Sequence, residues 1–154
     1  MSRAFVKEQD TEAVEKLPYR SVSEHPNDVT PEGLAQIDAE LALARTAYAA
    51  AQKSNDRAGL ASASRDMRYW ASRRATAQIV LPADDHELVR FGATVKIARD
   101  DGREQTFRIV GEDEANPARG SISHVSPLAK AMFGRRVGDT VRAGAGEAEI
   151  SSIS

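Results

Sequence analysis

Two apolar seams constrain this chain more than any other feature. Leu34, Ile37, Leu41, Ala44 and Tyr48 recur at 3-4-3-4 spacing, and Leu60, Ala63, Met67, Trp70, Arg74 and Ala77 continue the same rhythm after a break. That spacing places one stripe on each helix, suited to a single partner helix. The break, "KSNDRAG", holds turn-prone residues. It favours two helices joined tip to tip over one long rod, hence an antiparallel helical hairpin. The start is marked too. Thr30 can cap, Pro31 fits the first helical position, and Glu32 places a carboxylate at the positive end of the helix dipole.

The period changes downstream of Pro82. "VRFGATVKIA" and "EQTFRIVG" alternate as strands around an Asp101-Gly102 turn, and "SISHV" reads as a short strand. In "SPLAKAMFG", Ser126 caps a short helix, Pro127 opens it and Gly134 stops it. "GDTVRAGAGEAEISSI" closes the chain as a hairpin. The fold class is therefore α+β: a helical hairpin followed by an antiparallel sheet with one short helix. Residues 1–29, polar and interrupted by Pro18 and Pro26, read as an extended or disordered arm.

Composition excludes several chemistries. The 154 residues contain no Cys, so thiolate catalysis, disulfides and Cys-based zinc sites are absent. His25, His86 and His124 lack metal-ligand spacing. No run approaches 18 apolar residues, and the opening "MSRAFVKEQD" has no apolar signal core. A cytoplasmic chain without membrane contact is expected. Net charge is −2, but residues 57–79 carry five arginines (57, 65, 68, 73 and 74) against Asp66, a local +4 that leaves −6 for the rest. Such a run reads first as a solvated helix face, and second as a stripe for an acidic partner.

The candidates for chemistry are few. Glu112, Asp113 and Glu114 are consecutive and read as a solvated turn rather than a metal site. Gly144 and Gly146 lack the lysine and the helix of a phosphate loop. Ser126 is accounted for as a cap, although His124 lies two residues before it. No enzyme motif emerges, and a non-enzymatic protein without cofactor or metal is expected.

Other residues carry a resemblance. Phe91-Gly92-Ala93, Arg108-Ile109-Val110-Gly111-Glu112-Asp113-Glu114, Ile122-Ser123, Ser126-Pro127-Leu128-Ala129 and Val137-Gly138-Asp139 occur in order over about fifty residues. Together they closely resemble the C-terminal domain of the bacterial Gre (GreA/GreB) transcription elongation factors. Thr30-x-x-Gly33-Leu34 with Glu40-Leu41 is similar to the opening of that family's first coiled-coil helix. Arg68-Tyr69 and Gln78-Ile79-Val80 are similar to the end of its second. The resemblance implies a coiled-coil finger over 30–80, a linker over 81–90 and an FKBP-like domain over 91–154.

It also implies a partner, bacterial RNA polymerase, met as a monomer at the rim of the secondary channel, with RNA or DNA contacted only inside the transcription complex. In the family, acidic residues at the finger tip help bind a second Mg²⁺ for hydrolysis of backtracked RNA. This tip departs from that pattern. Asp56 matches one acid and is the single catalytic candidate, whereas Gly59 stands where the family has Glu. Each helix also reads about two turns shorter, roughly 10 Å of reach. The expectation is a regulator of transcription that docks without strong cleavage stimulation. Asp56, Arg57, Arg65, Arg68 and Arg73 on the finger and Ser123, His124, Ser126, Pro127 and Lys130 on the sheet domain are its contact candidates. Arg74, on the seam, ranks below them. An active cleavage factor using Asp56 with Asp66 or with a polymerase carboxylate, an FKBP-like chaperone or peptide-binding protein, and a regulator of nucleotide metabolism on the same two domains stay open.

Overall fold

The structure, a computed structural model, describes residues 18–154. They form two compact units: residues 18–24 with 35–76, and residues 25–34 with 77–154.

The first unit is built on the two seams. Helix α1 spans Pro31–Lys53, its first turn belonging to the second unit, and α2 spans Arg57–Thr76. At 1.5 Å per residue they are about 35 and 30 Å long. Ile37, Leu41, Ala44 and Ala51 are buried along α1 and Ala63 along α2, with Leu60, Met67 and Trp70 half-buried. The seam is thus real, but its residues are small. The expected hairpin is present: Arg74 near the end of α2 meets Asp38 near the start of α1, Nε to Oδ1 2.6 Å. Arg74, although on the seam, is exposed at this helix end and pairs at the surface.

Strand β1 (Asp28–Val29) enters the hairpin and β2 (Gln78–Ile79) leaves it, and the two pair in parallel. Asn27, Val29 and Thr30 are 4%, 2% and 0% exposed, so the chain just before α1 is core rather than arm. Of the arm expected over 1–29, residues 1–17 lie outside the described residues.

The remaining strands are β3 (Thr94–Arg99), β4 (Glu104–Val110), β5 (Ser121–Ser123), β6 (Thr140–Ala143) and β7 (Gly146–Ile153), arranged β5-β4-β3-β7-β6. The β3–β4 and β6–β7 hairpins turn at Gly102 and Gly144, at φ 85° and 69°, where glycine avoids a Cβ clash. One ladder differs from the expected antiparallel sheet: β5 runs parallel to β4. Segment 111–120, with a 3₁₀ turn at Pro117–Arg119, carries the chain back before β5 begins, and a tight hairpin cannot do that. Helix α3 (Pro127–Met132) starts as expected, the Ser126 hydroxyl accepting from the Ala129 N–H at 3.3 Å. Ala129 and Met132 pack against Val95, Ile97, Ile109 and Ile150, all fully buried.

Candidate functional site

Three residues, Ser54, Asn55 and Asp56, link α1 to α2. Asn55 adopts φ 53°, a left-handed conformation that asparagine tolerates. The Asp56 N–H donates to the Ala51 carbonyl at 2.9 Å, and its Oδ1 accepts from the Gly59 N–H at 3.0 Å. Asp56 is therefore the N-cap of α2. A Cβ on Gly59 would lie 2.4 Å from Asp56 Oδ2, so glycine permits this cap to close. One oxygen of the tip carboxylate already serves the helix. Asp66 is ten residues further along α2, about 15 Å by helical rise, so the two carboxylates cannot share an ion. Among the described residues no three His, Asp or Glu side chains converge as metal ligands. The tip by itself does not fit a Mg²⁺ site.

The arginines separate. Arg57 and Arg68 are exposed and Arg65 is half-buried, its Nε without a hydrogen-bond partner among the described residues. Arg73 is 1% exposed and is engaged. Its expected place on an exposed stripe is corrected. It lies about 80° around the helix from Ala63, off the seam, and is held by packing that periodicity cannot report. Arg20 and Tyr19 lie along α2, a contact outside every sequence pattern. Arg20 Nη1 is 3.1 Å from Asp66 Oδ1, and the Arg68 guanidinium sits 4.1 Å from the Tyr19 ring centre.

On the sheet unit, the connection from β5 to α3 is internally braced. Ser123 Oγ accepts from the Val125 N–H at 3.2 Å, and the Ser123 carbonyl accepts from the Ser126 N–H at 2.9 Å. The His124 N–H donates to the Val110 carbonyl, and its ring meets Phe91 edge-on at 5.5 Å. Pro127 and Lys130 are exposed, while Ser123, His124 and Ser126 are half-buried. These five residues fall between positions 123 and 130, from the end of β5 into α3.

Glu114 was expected in a solvated turn and is instead a staple. Its Oε2 accepts from the Thr30 N–H at 3.1 Å and the Gly111 N–H at 3.3 Å, and its Oε1 accepts from the Thr30 hydroxyl at 2.5 Å. Thr30 Oγ1 in turn accepts from the Gly33 N–H at 3.0 Å, capping α1. A carboxylate at a helix N-terminus also meets the positive end of the dipole. Nearby, Arg108 Nη2 approaches Glu32 Oε2 at 3.8 Å. Two glycines make room: a Cβ on Gly33 would lie 1.9 Å from Glu114 Oε2, and one on Gly111 would lie 2.6 Å from the Asp28 carbonyl oxygen. The sequence signal was Gly33, a poor helix former inside a first turn. Helix propensity alone predicts that Gly33→Ala stabilises by about 1 kcal/mol. Displacing Glu114 costs more, so the expected result in urea unfolding is a net loss of about 1–2 kcal/mol.

Comparison with known proteins follows the same residues. The family described as "Transcription elongation factor, GreA/GreB, C-term" matches residues 74–153. Transcription elongation factor GreA of Desulfovibrio desulfuricans is 36% identical over 135 residues, covering 86% of this chain and 80% of that protein. The chain belongs to the GreA/GreB family. Transcription elongation factor GreB of Neisseria meningitidis serogroup B is 46% identical over 79 residues, 50% of this chain, and the match spans about half, 48%, of that GreB's length. Among solved structures, the GreA factor homolog Gfh1 of Thermus thermophilus aligns at 22% identity with TM-score 0.41, over 84% of this chain and 99% of that one.

Membership corrects one expectation. The chain was expected to be non-enzymatic, yet its relatives carry the names GreA and GreB. Gre factors are classed as transcript-cleavage stimulators, with an indirect part in catalysis. Among the described residues no helix is long and apolar enough to cross a membrane.

Proposed function

We propose that this Gre-family chain docks on bacterial RNA polymerase at the secondary channel and acts there without strong stimulation of transcript cleavage. The observation that carries the reading is the tip. Asp56 is the one carboxylate in the turn, and one of its oxygens is bound to the Gly59 N–H. A loosely held second ion needs several oxygen ligands, and a lone carboxylate supplies too few. Arg57 follows directly and opposes a cation further. The finger keeps its cationic side in Arg57, Arg65 and Arg68, which suits an acidic wall and long-range steering. On the sheet unit, Ser123, His124, Ser126, Pro127 and Lys130 form the second contact in this reading. Docking involves the chain as a monomer, and nucleic acid is met only within the transcription complex.

The test is retention by immobilised RNA polymerase. The native protein is expected to be retained, and Arg65→Glu with Arg68→Glu to weaken retention at least about tenfold at low salt. The difference should shrink as salt rises, because exposed charges are screened beyond roughly 10 Å at 0.1 M. Failure to retain the native protein contradicts the reading.

A further inference from the structure

The segment before β1 makes side-chain contacts with α2 that no family motif predicts. Residues 18–22 run without helix or strand. Arg20 sits in a polar-aromatic socket on α2. Its guanidinium is 3.9 Å from the Tyr69 ring centre and 5.4 Å from that of Trp70, and it pairs with Asp66 at 3.1 Å. Tyr69 and Trp70 meet edge-on at 4.9 Å, which fixes the socket's walls. Tyr19 places its ring against the Arg68 guanidinium and stays 72% exposed.

The consequence is electrostatic. Asp66 is the single acid of α2 and is half-exposed, flanked in sequence by Arg65 and Arg68. Left alone, its charge would cancel part of the cationic field and would repel an acidic partner. Arg20 cancels Asp66 instead, and its aromatic neighbours hold it in place. We infer that Arg20 completes a docking face: by neutralising Asp66 it leaves Arg65 and Arg68, the latter faced by Tyr19, as an unopposed cationic patch on α2 toward a carboxylate-lined protein surface of RNA polymerase. This inference rests on the docking reading above. A protein wall suits this position better than RNA. Arg68 lies twelve residues behind Asp56, roughly 18 Å back from the tip by helical rise, where a finger that enters a channel faces protein rather than the active centre.

The test is a double-mutant cycle on the full chain, read as affinity for core RNA polymerase at low salt. Arg20→Ala, which bares Asp66, should weaken binding about three- to tenfold. Asp66→Asn should bind within about twofold of native, and adding it to Arg20→Ala should recover most of the loss. Arg20→Lys, which keeps the charge, should stay within about threefold of native. Trp70 is the only tryptophan, so quenching of its fluorescence by neutral acrylamide reports the socket without any partner; it should rise in Arg20→Ala. Unchanged quenching would overturn the inference, as would an unaltered or tighter affinity of Arg20→Ala. So would a loss that Asp66→Asn does not relieve, or a loss confined to a free single-stranded RNA oligomer. If polymerase binds Arg20→Ala as it binds native, the face fails while the docking reading stands. If it binds no version, both fail.

Discussion

Replacing Glu114 with Ala should lower the unfolding free energy by about 3–5 kcal/mol. The magnitude follows from what the carboxylate leaves behind. Thr30 is fully buried, and both its N–H and its hydroxyl donate to Glu114. Each buried donor stranded without an acceptor costs about 1–3 kcal/mol, with charged acceptors at the upper end. Gly111 loses an acceptor as well. Glu114→Gln should cost less, about 1–2 kcal/mol, because one oxygen remains to accept. Its amide would face Thr30 Oγ1, which already accepts from Gly33. Urea denaturation of both variants measures the difference. A loss below about 0.5 kcal/mol for Glu114→Ala, the range of ordinary surface substitutions, would return this residue to the solvated turn.

Arg73→Ala should cost about 3 kcal/mol or more. At 1% exposure, Arg73 heads the fully buried side chains by size, and it is engaged with the protein. Truncation removes the packing of a long stem and strands its partner group. Arg68→Ala, two-thirds along the same helix and exposed, should change stability by under about 0.5 kcal/mol while weakening polymerase retention. Thermal unfolding of the two variants separates an internal strut from a surface cation. Equal stability of both would put Arg73 back on the exposed stripe.

The hairpin and the main sheet were legible because their signals are local. Ile37, Leu41 and Ala44 repeat along one helix, the Asp101-Gly102 turn sits between two alternating runs, and Ser126-Pro127 announces α3 within two residues. What escaped is non-local. Thr30 and Glu114 are 84 residues apart, and Arg20 and Asp66 are 46 apart. No spacing rule links such pairs. The burial of Arg73 escaped for a related reason: periodicity reports the face a helix shows its partner, and Arg73 lies off that face. The parallel β5 escaped because register depends on how segment 111–120 folds back, which its turn residues do not dictate. At the tip, the resemblance to the Gre family already put Gly59 where a carboxylate was expected. The structure adds why glycine suits that place, since a Cβ there would strike the capping Asp56.

The central claim is a finger that docks but carries too little acid at its end to hold an ion. It is tested most directly by RNA shortening in stalled, backtracked complexes of bacterial RNA polymerase, with the protein at concentrations that saturate binding. The account predicts retention on the complex with cleavage raised less than about tenfold, a change under about 1.4 kcal/mol in barrier. Acceleration of about a hundredfold or more that disappears with Asp56→Ala would contradict it.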